Sequence, residues 1–446
     1  MTDNGHFSSL PTTASPKTPI SASSSLLLSG RSQWWKVSFR SLRHRNYRLY
    51  FFGQLVSLTG SWMQTAALAG LAYALTGLSA WPALLVAIQI APTFLFGAWS
   101  GFLADHVPKR RLIMATQSGF MLMSFSLAML VWLGKVEPWQ LLVVSCLHGL
   151  FQAVDLPARL AFVNDLVGRE DLVNAVALNS MLFNTARAVG PAIGGVMLFY
   201  AGPQACFLSN SLSYLAVLIA LYHMDVRGEP KHHAGTRAGL LSGFQYLRDH
   251  PRLAIVVLRA GTTALCCWPF LSLLPALAEK RFLLAPAQGN SWLLSATGAG
   301  ALSAAFTVAT FGSPERARYF IAVGITLASA ALFGLSFAPN ILAAVACCAL
   351  IGFGIIIFLS TSQATVQLGA TDLNRGRVMG IWAMTLSGSV PLGNLVVGPA
   401  ADQWGVATML RLQGLLCVTA ALGLLALRHW WQARKARTPT SGGASE

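Results

Sequence analysis

The sequence predicts an all-α polytopic membrane protein with twelve transmembrane helices. Three observations carry that expectation. Charged residues make up 10% of the 446-residue chain and hydrophobic ones 54%, where water-soluble domains hold about 25% charged residues. Apolar stretches of the roughly 20 residues needed to cross the hydrocarbon recur along the chain. Basic residues gather in every second connection between them. Continuous apolar runs without strict alternation exclude a β-barrel, and helices are then the structure that satisfies the backbone in lipid.

In order, residues 1–45 are rich in Ser, Thr and Pro and predict a disordered basic tail. "SSSLLLSG" is too short for a signal peptide, so the first span is expected to direct insertion itself. Spans are predicted at 49–75, 81–104, 112–134, 139–162, 173–200 and 204–224, forming an N-terminal bundle over 46–224. Residues 225–251 read as a polar central loop, in which the spacing of Leu240, Phe244 and Leu247 predicts a short helix on the membrane surface. A C-terminal bundle over 252–431 follows, with spans at 253–278, 290–311, 318–337, 340–366, 377–401 and 407–431, then a basic tail at 432–446. "ARAVGPAIGG" around Pro191 echoes "LSGSVPLGN" around Pro391, as duplicated membrane bundles do.

Charge placement sets the expected topology. Arg40, Arg43, Arg45 and Arg48 precede the first span; Lys109, Arg110 and Arg111 lie between the second and third; Arg316 and Arg318, then Arg375 and Arg377, fill later alternate loops. The other side holds Lys135, Lys280, Arg281 and Arg411. Both termini and the central loop are therefore expected in the cytoplasm. The net charge of +16 is spread over these loops rather than along one stripe, which argues against nucleic acid as a partner. The seven cysteines lie inside apolar segments without metal-ligand spacing. No GxxxxGK[ST] loop or nucleophile–base set is present, so neither an enzyme nor a resident cofactor is expected.

Polar residues inside the spans are the candidate functional groups. His148, Gln152, Asp155 and Arg159 are spaced four, three and four apart and share one face of the fourth helix. An intramembrane carboxylate normally meets a partner or a cavity; Asp155 reads either as an ion pair with Arg159 or the basic loop, or as a proton carrier. Histidine titrates near neutrality, so His148 reads as a relay or cargo contact, or simply as a hydrogen-bonded side chain. The fifth span aligns Asn184, Arg187, Pro191 and Gly194. Arg187 is deep and stays charged, so it needs an acid, carbonyls, water or an anion; Asp155 is the nearest acid by depth. Gly190 and Gly194 allow close helix contact, with Pro191 and Gly195 in the same patch. Gln54, Ser61 and Gln64 in the first span, Arg259 in the seventh and Gln363 in the tenth add polar faces. A central water-filled vestibule would satisfy them.

"GFLADHVPKRRLI", from Gly101 to Ile113, resembles the loop signature GxLADrxGRRxxL of the major facilitator superfamily. His106 and Pro108 depart from it. "AVGPAIGGVML" is similar to that superfamily's antiporter motif. "NYRLYFFGQLVSLTGSWMQ", "AVDLPARLAFVNDLVGREDLVNAVALNS", "GFQYLRDHPRL" and "DLNRGRVMGIW" resemble its siderophore and macrolide exporter branch, the transmembrane secretion effector type. The resemblance implies a major facilitator fold of two pseudo-symmetric six-helix halves. It implies a proton-coupled exporter of amphipathic small molecules, monomeric, in a bacterial inner membrane. An importer or facilitator on this fold, and a receptor or scaffold that no longer transports, remain open. It also implies a cytoplasmic latch: Asp105 over the start of the eleventh helix near Gly376, with Arg110 or Arg111 reaching Asp155. On that expectation, Asp105→Asn abolishes transport while insertion persists; unchanged flux would remove the latch.

Overall fold

The structure, a computed structural model, describes residues 40–224 and 240–419. The tail before residue 40, residues 225–239, and the end of the twelfth span with the C-terminal tail lie outside the described residues. Among the described residues all regular structure is helical.

Residues 40–45, assigned above to the tail, start the fold. A 3₁₀ turn, Arg40–Arg43, is tied down because Ser41 N–H donates to Asn174 Oδ1 (2.9 Å) and Ser41 Oγ to the Asp171 carbonyl (3.0 Å). Asp171 also pairs with Arg40 at 2.7 Å and His44 at 2.8 Å. Then come α1 (Arg45–Thr76), α2 (Ala80–His106), α3 (Lys109–Trp132) and α4 (Pro138–Gly168). Helix α4 opens on a capping box between Glu137 and Gln140. Helical geometry breaks at Gly168 (φ 71°, ψ 179°) and Gly202 (φ 75°, ψ 178°), a backbone region that belongs to glycine. These breaks separate α4, α5 (170–201) and α6 (203–222).

Helix α7 (Leu240–Asp249) is the predicted short helix. Its Leu247 is buried, and Tyr246 Oη accepts from Thr371 N–H at 3.3 Å, so it packs on the protein. The seventh span is discontinuous: α8 (Pro251–Cys266) ends and α9 (Phe270–Phe282) begins across Cys267, Trp268 and Pro269. Pro269 has no N–H for the helical ladder, which accounts for the break. The remaining helices are α10 (Pro286–Phe311), α11 (Ala317–Leu335), α12 (Ile341–Gly369), α13 (Asp372–Trp404) and α14 (Val406–Thr419).

Eight of the described helical stretches are both long and apolar enough to cross a membrane. Helix α1 is not among them although it has 32 residues. Its buried Gln54, Ser57 and Gln64 lower its mean apolarity, as expected of a helix that turns a polar face inward. Buried apolar clusters form within the helices before residue 225, around Tyr50, Phe162 and Leu221 and around Met63, Leu127 and Phe207. Others form among the later helices, around Leu273, Leu332 and Ile351 and around Val257, Phe358 and Trp382. Large apolar side chains such as Leu95, Leu122, Trp132, Leu212 and Phe306 stay exposed; lipid is the solvent that suits them. The chain is a multi-pass helical membrane protein.

Candidate functional site: a cavity between the two halves

A cavity of about 420 Å³ lies between the two sets of helices. Its earlier wall includes Gln54, Ser61, Trp62, Gln89, His148, Gln152, Arg159, Asn179 and Arg187, and its later wall Trp268, Ser272, Asn290, Thr297 and Asn394. The break between α8 and α9 places Trp268, Phe270 and Ser272 at the wall. A discontinuous helix at a midplane site is a recurrent way to expose polar groups inside a membrane. There Ser272 Oγ donates to Asn394 Oδ1, and Asn394 Nδ2 to the Val390 carbonyl at 2.9 Å.

On α4, Asp155 is fully buried and its Oδ2 lies 2.6 Å from Arg159 Nε. The pair attracts by charge without an aligned N–H at Oδ2. Oδ1 accepts from Thr116 Oγ1 (2.7 Å) and Gln117 Nε2 (3.1 Å), while Arg159 Nη1 donates to Gln54 Oε1 at 2.8 Å. The implied contact from Arg110 or Arg111 to Asp155 is not what the structure shows. Lys109 instead meets Asp165 at 2.6 Å, Arg110 donates to the Tyr222 carbonyl at 3.0 Å, and Arg111 is exposed. Helical rise gives the reason: Asp155 lies ten residues, about 15 Å, deeper along α4 than Asp165. Thr116 and Gln117, two turns into α3, are level with it. Gly101 and Asp105 lie in the last turns of α2, and the Asp105 side chain is outside the described residues. Helix α13 starts at Asp372 with Thr371 as N-cap, one turn before Gly376.

The contacts that close one end of the cavity lie away from the basic loops. A Cβ on Gly70 would overlap Ala287, and Asn290 Nδ2 donates to the Ala66 carbonyl at 2.8 Å, joining α1 to α10. Ser295 Oγ donates to the Ala188 carbonyl at 2.6 Å, joining α5 to α10. At the start of α2, the backbone N–H groups of Ser79 and Ala80 donate to Asp402 Oδ1 (2.6 Å) and Oδ2 (2.9 Å). The carboxylate at the end of α13 thus satisfies open donors at a helix N-terminus, where the dipole favours an anion. Toward the basic loops, among the described residues, nothing lies within 4 Å of a Cβ built on Gly376 or Gly380.

Other predicted residues divide by rotation about their helices. His148 Nδ1 accepts from Gln89 Nε2 at 3.0 Å, and its ring lies 4.6 Å from that of Phe120. Ser61 Oγ meets Tyr214 Oη at 3.1 Å. Gln152 reaches the cavity wall. Gln64 does not: it turns into the first bundle and accepts from Asn210 Nδ2 at 2.7 Å, beside Ser124. Asn184 donates to the Ser180 carbonyl in its own helix, Gln363 is exposed, and Arg259 is absent from the cavity lining. The α5 patch is a packing surface. A Cβ on Gly190 would lie 2.5 Å from the Thr59 carbonyl, Gly194 faces Met63, and Gly195 faces Ser291 of α10; Pro191 lies between them within α5. Asp165, Asn179, Asn210, Asn290, Asn394 and Asp402 were missed as candidates. Asn210, Asn290 and Asn394 carried a usable signal, since an amide inside an apolar span needs an external partner.

Relatives are consistent with this arrangement. The chain is 27% identical over 340 residues to a staphyloferrin A transporter of Staphylococcus aureus, covering 74% of this chain and 84% of that one. It is 24% identical over 420 residues to the enterobactin exporter EntS of Escherichia coli K12, covering 90% and 97%. Among solved structures, a bacterial homologue of the lysosomal transporter Spinster, inward-facing and unoccupied, matches with TM-score 0.70 at 15% identity, covering 87% of this chain and 98% of that one. The nucleoside transporter NupG matches with TM-score 0.67 at 13% identity, covering 85% and 98%. The model of the transmembrane secretion effector family matches residues 36–440, nearly the whole chain, and the protein therefore belongs to that family of major facilitator transporters.

Proposed function

We propose that the protein is a proton-coupled secondary exporter of amphipathic small molecules, siderophore-like chelators foremost, working as a monomer by alternating access in a bacterial inner membrane. The observation that carries this reading is a cavity walled by both halves and closed at one end by contacts between them. Charge placement puts the basic loops and both termini in the cytoplasm. On that orientation the closed end faces outward, and in the proposed cycle this arrangement is the cargo-loading state. Opening outward requires Asn290, Ser295 and Asp402 to release their partners across the halves. The names of the siderophore-transporting relatives support the cargo class.

The test is flux. In proteoliposomes, an imposed pH gradient, acidic on the side that receives cargo, should accelerate export, and Asp155→Asn should remove that acceleration. Gradient-independent flux would argue for a uniporter or another ion. Direction is read in cells: loss of an exporter causes intracellular accumulation of the chelator, and loss of an importer causes iron starvation when that chelator is supplied. A scaffold gives no flux with any cargo.

A further inference from the structure

Arg187 is the one group in the cavity whose charge the described residues leave unanswered. It is 8% exposed, lies at the cavity wall, and its Nε has no hydrogen-bond partner. None of the ion pairs formed among the described residues includes it. The other arginine of the wall, Arg159, is neutralised from behind by Asp155. Among the described residues, no aspartate, glutamate or lysine lines the cavity. A site of mostly apolar and amide surface therefore carries one surplus positive charge in a membrane interior, an arrangement that persists where a water-filled path or an anion compensates it. One turn earlier on the same face, Phe183 lies against Trp62, with ring centroids 5.6 Å apart at 77°, and both border the cavity. The guanidinium thus opens beside an aromatic wall.

We infer that Arg187 is the specificity-determining anchor of the cavity, binding the carboxylate or a similar planar oxyanion of an amphipathic organic anion whose apolar body lies against Phe183 and Trp62. The guanidinium fork matches such a head in a bidentate way that an ammonium does not. The inference rests on the exporter reading and narrows it, because it excludes lipophilic cations, a common class of drug cargo, from this cavity. Arg187 also sits where the halves meet. Its own carbonyl lies 2.4 Å from a Cβ built on Gly298 of α10, and the next carbonyl, of Ala188, accepts from Ser295. An anion held there touches the helix that must part from α10 when the outer end opens.

The experiment uses the full chain in zwitterionic lipid nanodiscs, with 2-naphthoate and 2-naphthylmethylammonium as probes of similar shape and opposite charge, and empty nanodiscs as the partition control. Naphthoate should bind at least tenfold more tightly than the ammonium. Arg187→Gln should weaken naphthoate about 30-fold or more, the cost of removing one partner from a buried charge contact. Arg187→Lys should retain part of the affinity, which shows that the fold tolerates change there, and Arg187→Glu should reverse the preference. Naphthoate binding to Arg187→Gln at wild-type affinity overturns the inference. So does a wild type that prefers the ammonium or binds neither probe. Proteoliposome flux separates the two readings. Cation movement without anion movement keeps the transporter and sinks the anchor; anion binding without movement of any cargo keeps the anchor and sinks the exporter.

Discussion

Asp155→Ala is expected to destabilise the bundle by about 3–5 kcal/mol, the usual cost of leaving a buried charge without its partner. Arg159 would lose its 2.6 Å contact and keep Gln54, Gln117 would lose its acceptor in a fully buried site, and Thr116 would fall back on the Ile113 carbonyl. The measurement is thermal unfolding of the detergent-purified protein beside the double variant Asp155→Leu/Arg159→Leu. Removing both charges takes away the desolvation penalty as well as the attraction, so the double variant should melt closer to wild type than the single. Equal melting of Asp155→Ala and wild type would mean that the pair is solvated in the membrane state and contributes no net stability. Transport should fall as well, because the cavity would gain a second uncompensated cation beside Arg187.

Asp402→Ala is expected to loosen the closed end without unfolding the protein. The carboxylate caps α2 from the end of α13 through two backbone donors, and loss of an N-cap interaction costs about 0.5–2 kcal/mol. Here that energy is present only while α2 and α13 stay together, so its loss shifts the conformational equilibrium by roughly 2- to 30-fold toward the outward-open state. A cysteine at Asn290, at the closed end of the cavity, reports the shift: membrane-impermeant thiol reagent added outside should label it faster in the Asp402→Ala background. Asp402→Glu, which keeps the charge, should label more slowly than the alanine variant. Identical labelling in all three backgrounds would remove Asp402 from the gate. Under the latch implied by family resemblance, α2 and α13 would exchange roles at the cytoplasmic end, with Asp105 over the start of α13.

Much of the architecture was legible in the chain. Asp155 was readable as an intramembrane acid, and Arg159 was among its candidate partners because a spacing of four on one helix fixes depth and direction together. The choice between Arg159 and the basic loop was not readable, since it depends on how far α3 slides along α4. Lys109 lands on Asp165 rather than on Asp155 for that reason. Gln54 and Gln64 show the same limit within a single helix. They are ten residues apart and polar alike, yet Gln54 borders the cavity and Gln64 hydrogen-bonds inside the first bundle.

Span placement and the sidedness expected from charge depend on local composition and on the cost of exposing peptide groups and cations to lipid, and both are properties of a linear segment. Which polar groups meet across helices depends on the axial offset and rotation of one helix against another. Packing sets those quantities, as where Gly190 meets Thr59 and Gly298 meets Arg187. The Asp402 cap joins residues 323 positions apart, and no spacing rule reaches that far. It emerges only once the two halves are closed on each other.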